Sequence, residues 1–142
     1  MIKHEDHRFV AIGNTVGAGG SSLYGACNQQ DGATMNRFGG QMVYVGYDHK
    51  LERALAIAEA GGDIDAAEKA ITLAARMRDA IERGDLEQIA SYRQTRVNAG
   101  KYARANAYRK AGKDVPAHLS DKRIRESALA SWSEDERAMV SK

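Results

Sequence analysis

Cysteine occurs once in this chain, at Cys27. An internal disulfide and a multi-cysteine zinc site are therefore excluded, which fits a reducing compartment. No apolar run approaches the length of a membrane span, and the first residues, MIKHEDHRFVAIG, alternate charge with short apolar runs and so lack the apolar core of a secretory signal. The expected setting is cytoplasmic, with no membrane partner. Two further absences are local. Residues 88–113 contain no Asp or Glu, and residues 98–114 contain no Leu, Ile, Val, Met, Phe or Trp.

The chain has 142 residues and a formal charge of +2, enough for one domain with a modest core. Charge is unevenly placed. Residues 1–49 set Lys3, Arg8 and Arg37 against Glu5, Asp6, Asp31 and Asp48, so the excess of cations belongs to residues 50–142. Composition changes at the same place: nine of the fourteen glycines lie at or before Gly46, and Ala, Glu, Lys, Arg and Leu dominate afterwards. The fold class expected is α+β and mostly α-helical, with a small glycine-rich β segment over residues 1–49 followed by about five helices over residues 50–142, the two forming one structural unit. Residues 8–12 and 41–45 are the strand candidates, each rich in β-branched or aromatic side chains and bounded by glycine. The stretch between them, residues 13–40, is too long for a hairpin loop and too poor in apolar residues for a core of its own, so contact with the helices or with a neighbouring chain is expected to order it.

Helix signals follow one another after Asp48. Leu51, Ala54, Leu55 and Ala58 mark an apolar face that ends at Gly61-Gly62. Asp65 with Glu68 has capping-box spacing ahead of a face made by Ile64, Ala67, Ile71, Ala74, Met77 and Ile81, ending at Gly84. Asp85 with Gln88 repeats that spacing, and Leu86, Ile89, Ala90 and Val97 predict a buried first half for a third helix that Gly100 kinks and Gly112 with Pro116 ends. Ser120 predicts a fourth helix carrying Ile124, Ala128, Leu129 and Trp132, and Ser133 with Glu136 a short fifth. The similarity between Gly62-Asp63-Ile64-Asp65 and Gly84-Asp85-Leu86-Glu87 reads as two capping junctions, because it fades within a few residues. Arg83-Gly84-Asp85 reads the same way.

The third helix carries the tract that lacks acids. Seven cations, Arg93, Arg96, Lys101, Arg104, Arg109, Lys110 and Lys113, are interleaved with Tyr92, Tyr102 and Tyr108. A solvated helix face ordinarily mixes both signs three or four residues apart, and here no local carboxylate exists. A helix packed into its own core needs a broad stripe of large apolar side chains, and the second half lacks one, so an acidic partner is expected to complete it. Arginine forks onto phosphate or carboxylate, tyrosine stacks on a base or covers an apolar surface, and alanine permits close approach. These ten residues are the expected binding site.

Signals for catalysis are weak. His4-Glu5-Asp6-His7 gathers metal-ligating groups in a hydrophilic terminal run without a second shell, so no metal is expected. Cys27 sits in no nucleophile motif and reads as a packing residue. Residues 13–22 lack the P-loop lysine and the G-x-G-x-x-G spacing, so tight turns explain their glycines better than phosphate binding. The sequence thus points to a non-enzymatic, cofactor-free binding protein whose basic helix docks on an acidic partner. Nucleic acid within a nucleoprotein assembly is the leading partner. The alternative is a phage-type assembly or anti-defence factor acting through protein contacts, with a homo-oligomer or larger assembly compatible with either.

Overall fold

A computed structural model of the chain describes residues 47–86 and 88–140. The strand expectations over residues 8–12 and 41–45, the glycine-rich stretch, Cys27 and the His4-Glu5-Asp6-His7 run lie outside the described residues. Five α-helices and one 3-10 turn occur among those described, with no strand: α1 (His49–Glu59), α2 (Ile64–Gly84), α3 (Tyr92–Lys110), the turn Ala117–Leu119, α4 (Asp121–Ala128) and α5 (Glu134–Val140). None of these helices is long and apolar enough to cross a membrane.

The helix ends follow from individual side chains. Asp48 Oδ1 accepts from the backbone N–H groups of Lys50 (2.9 Å) and Leu51 (3.0 Å), two donors that a first helical turn otherwise leaves unpaired. Gly61, at φ 62°, then closes α1 in a left-handed turn in which Gly62 N–H donates to Ile57 O and Gly61 N–H to Ala58 O. At α2 the cap is Asp63, which accepts from Ala66 N–H at 3.1 Å; the expected capping residue, Asp65, sits inside the first turn and pairs with Lys69. At the far end of α2 the left-handed residue is Asp85, at φ 47°, so the aspartate expected to open the third helix instead closes the second. Gly84 is needed for space: a Cβ there would lie 2.6 Å from Met139 Cε and 2.9 Å from Leu86 Cγ. The third helix begins later, at Ser91, whose Oγ accepts from Gln94 N–H. Ser120 caps α4 as expected, and Ser133 with Glu136 forms the expected reciprocal box, Ser133 N–H to Glu136 Oε2 at 2.7 Å and Glu136 N–H to Ser133 Oγ at 3.3 Å.

Helices α1, α2 and α3 pack mutually, and α3 also meets α4. Their interface is built mainly from alanine: Ala56, Ala60, Ala66, Ala67, Ala70 and Ala99 surround Tyr102 and Ile124. Small side chains let helix axes approach to about 8 Å, the near end of the usual range, and so an apolar stripe of large residues is not required. A second cluster with bulkier members, Leu73, Met77, Leu129, Trp132 and Val140, joins α2 to α4 and α5. The face that α1 turns inward is Glu52, Ala56 and Ala60, whereas Leu51 and Ala58, expected to be buried, are exposed. The reason is the polar contact made by Glu52, described below.

Candidate functional site

The acid-free tract forms α3, with Ser91 at its start and Gly112, at φ 64°, at its end, where Lys113 N–H donates to Tyr108 O and Gly112 N–H to Arg109 O. Gly100 lies within the continuous helix. Thr95, Asn98, Ala99, Tyr102, Ala105 and Asn106 are its buried positions. The expectation that the second half of this helix lacks a place in its own core is therefore corrected. Tyr102, expected as a contact residue, is 5% exposed, among the alanines that face α1 and α2. Burial raises the pKa of its phenol above the ordinary value, with Asp121 adding to the rise and Arg125 opposing it.

Carboxylates that are absent from the tract arrive from other elements. Arg96 meets Glu59 at the end of α1 (2.7 Å), Lys110 meets Asp63 (3.0 Å) and Arg109 meets Asp121 (2.8 Å). Asn106 Nδ2 donates to Asp63 and Asp65, at 3.2 and 3.0 Å to their Oδ2 atoms, and Asn106 Oδ1 accepts from Arg109 Nη1 at 2.9 Å. Asp63 is held below the ordinary carboxylate range first by the Ala66 N–H and then by Lys110 and Asn106. Sequence spacing could not reveal these pairs, because their members are 12 to 47 residues apart.

Once these flanking cations are matched, an outward stripe remains. At 100° per residue, Arg93, Val97, Lys101, Arg104 and Tyr108 fall within an arc of about 80° and run for about 22 Å along the axis. Arg93 and Arg104 are exposed, as is Lys113 just past the helix, and none of the three has an ion-pair partner among the described residues. Arg104 Nε donates to Gly100 O, one turn back, and Lys101 Nζ to the neutral Ser127 Oγ of α4 at 3.1 Å. Val97 (51% exposed) and Tyr108 (38%) lie on the same stripe. Val97 and Ile89 were expected in the core and are exposed; Val97 faces outward because Thr95, Asn98 and Ala99 occupy the inward side of α3. Together with Arg93, Lys101 and Ser127 they line a groove of about 400 Å³ between α3 and α4.

Tyr92, the first residue of α3, belongs to a different arrangement. Arg78 of α2 forks onto Glu52, Nη1 to Oε2 at 2.8 Å and Nη2 to Oε1 at 2.5 Å, and its Nε donates to Ala90 O. Thr95 Oγ1 donates to Glu52 Oε1 at 2.7 Å. The guanidinium lies 4.0 Å from the Tyr47 ring centroid and 6.0 Å from that of Tyr92, and the two rings meet edge to face at 5.1 Å. Tyr47 Oη donates to Ala90 O, and the Asp48 N–H donates to Tyr92 Oη. Burial pushes the Glu52 carboxyl up, but the hydrogen bonds from Arg78 and Thr95 outweigh it and hold Glu52 below its ordinary value. This network ties the starts of α1 and α3 to the middle of α2. Nothing in the sequence pairs residues 52, 78 and 95, although a Glu on the inward register of Ala56 and Ala60 is its trace.

Of the ten expected contact residues, Arg93, Lys101, Arg104 and Tyr108 share one face, with Lys113 just beyond it. Tyr92, Arg96, Arg109 and Lys110 contact other parts of the chain, and Tyr102 is buried. No cluster of three or more metal-ligating side chains occurs among the described residues. No protein-family model, curated protein or solved structure matches the chain.

Proposed function

We propose that the outer face of α3 binds nucleic acid within a nucleoprotein assembly, and that the chain is a cytoplasmic binding protein and not an enzyme. The observation that carries the reading is the sorting of the basic tract: cations at its flanks are matched by Glu59, Asp63 and Asp121, while Arg93, Lys101, Arg104 and Lys113 project without a carboxylate partner among the described residues. Guanidinium groups along one helix edge suit successive phosphates, and the exposed Tyr108 ring offers a base a stacking surface. The test is fluorescence anisotropy with single-stranded and duplex probes at low salt. Binding is expected for the wild type and a large loss for a variant carrying Arg93→Gln, Lys101→Gln and Arg104→Gln. Failure of both probes to bind the wild type overturns the proposal.

A second reading, contact with an acidic protein surface in an assembly or inhibitory complex, is favoured by exposed Ile89 and Val97 beside Arg93, since phosphate binding gives aliphatic groups no role. Under that reading Val97→Ser abolishes partner capture while leaving nucleic-acid affinity as it was.

A further inference from the structure

A cavity of about 320 Å³ lies between α2, α4 and α5, away from the outward stripe of α3. Three carboxylates stand on its wall, and each is already matched: Asp65 by Lys69 (2.8 Å), Glu68 by Arg53 (2.7 Å) and Asp121 by Arg109 (2.8 Å). Two further arginines line the same wall, Arg76 from α2 and Arg125 from α4, and neither has an ion-pair partner among the described residues. Both are exposed to solvent, so the wall is left with two guanidinium groups that no carboxylate among the described residues engages. Thr72, one helical turn before Arg76, contributes a hydroxyl, Tyr102 reaches the wall from α3, and Leu73 with Val140 supplies an apolar side.

We infer that this cavity binds a small oxyanion of the phosphate-monoester type, held between the guanidinium groups of Arg76 and Arg125. Arginine matches the planar pair of oxygens on such a group with two parallel N–H donors, and charge-assisted bonds of this kind are the strong ones. The volume is at the lower end for small-molecule sites and admits a phosphate with a short organic substituent, for which Leu73 and Val140 provide the contact. Because Arg76 and Arg125 come from different helices, an occupied site links α2 to α4 and stabilises the folded state by mass action.

The experiment is thermal denaturation of the full chain with increasing inorganic phosphate, against sodium chloride of equal ionic strength, followed by glycerol phosphate as the monoester. A saturable rise in Tm that chloride does not reproduce is expected. Arg76→Gln and Arg125→Gln should each weaken the apparent affinity about tenfold or more, as loss of one charge-assisted contact requires. Lys122→Gln, on α4 but outside the cavity, should behave as wild type. Should a glutamine variant fold poorly, Arg76→Lys and Arg125→Lys keep the charge, remove the fork and are expected to weaken binding as well. A rise equal to that in chloride, or an affinity unchanged in the arginine variants, overturns the inference. Neither result bears on α3, whose proposed ligand is tested with oligonucleotide probes and different residues.

Discussion

At the scale of single residues, the most deeply buried charge in the described structure is Glu52, in contact with Arg78 and Thr95. Glu52 is 2% exposed, and its ion pair is formed inside the fold. Removing one member of such a pair leaves the other charge without compensation, at a cost of about 3–5 kcal/mol, whereas replacing both members with apolar groups of similar volume is often neutral. Glu52→Met and Arg78→Met should each destabilise by that order, and the double variant by less than either single one. Urea denaturation of the four proteins measures this, and additive losses would show the pair to be uncoupled. Acid should act through the same carboxylate. Its native pKa is lowered relative to the unfolded chain, so its contribution is present at neutral pH and is lost as pH falls below about 4 toward the native value. Asp63, lowered in the same direction, adds to the effect. Stability should therefore decline on acidification through that range, and Glu52→Gln should flatten the decline in a series of denaturation curves at pH 2 to 7.

At the scale of elements, α3 has two faces with opposite expected responses. Tyr102→Ala should cost about 3–5 kcal/mol because it removes a large buried ring packed against alanines and Ile124, while Tyr108→Ala, on the exposed face, should stay within about 0.5 kcal/mol. The end of α2 offers a gain. Asp85 adopts the left-handed conformation that glycine adopts without a Cβ penalty, so Asp85→Gly should stabilise by about 1 kcal/mol or less, read as a rise in Tm. That junction also shows what the sequence made legible. Gly61, Ser120 and Ser133 with Glu136 act through local geometry, and their roles could be read directly. Asp63 and Asp65 compete for one cap, as do Asp85 and Ser91 for another, and packing decides between them. The faces of α1 and α3 could not be read from apolar periodicity, because alanine packing leaves almost no hydrophobic contrast and a buried glutamate sets the register of α1. Four of the expected contact residues lie together on the surface of α3, whereas Tyr102 was expected there only because an alanine-lined core was not recognised as a core.

At the scale of the whole molecule, two sets of charges should respond differently to salt. The pairs Arg96–Glu59, Lys110–Asp63 and Arg109–Asp121 each keep at least one partner substantially exposed, and such pairs contribute about 0–1 kcal/mol apiece. Packing of the two apolar clusters holds the fold, so Tm should change little as sodium chloride rises from about 50 to 200 mM. Polyanion binding by α3 should instead fall steeply, because each phosphate neutralised releases condensed counterion, with a slope of about 0.9 per contact on duplex and about 0.7 on a single strand. If Arg93, Lys101, Arg104 and Lys113 each meet one phosphate, log affinity should fall against log salt with a slope of about 3 to 4. Arg104→Gln should reduce that slope by about one contact. Arg96→Gln should leave it unchanged, since Arg96 is committed to Glu59. Anisotropy titrations at four salt concentrations separate the two variants, and equal loss of slope in both would mean that the ion pairs open on binding and that the sorting of the tract does not define the surface.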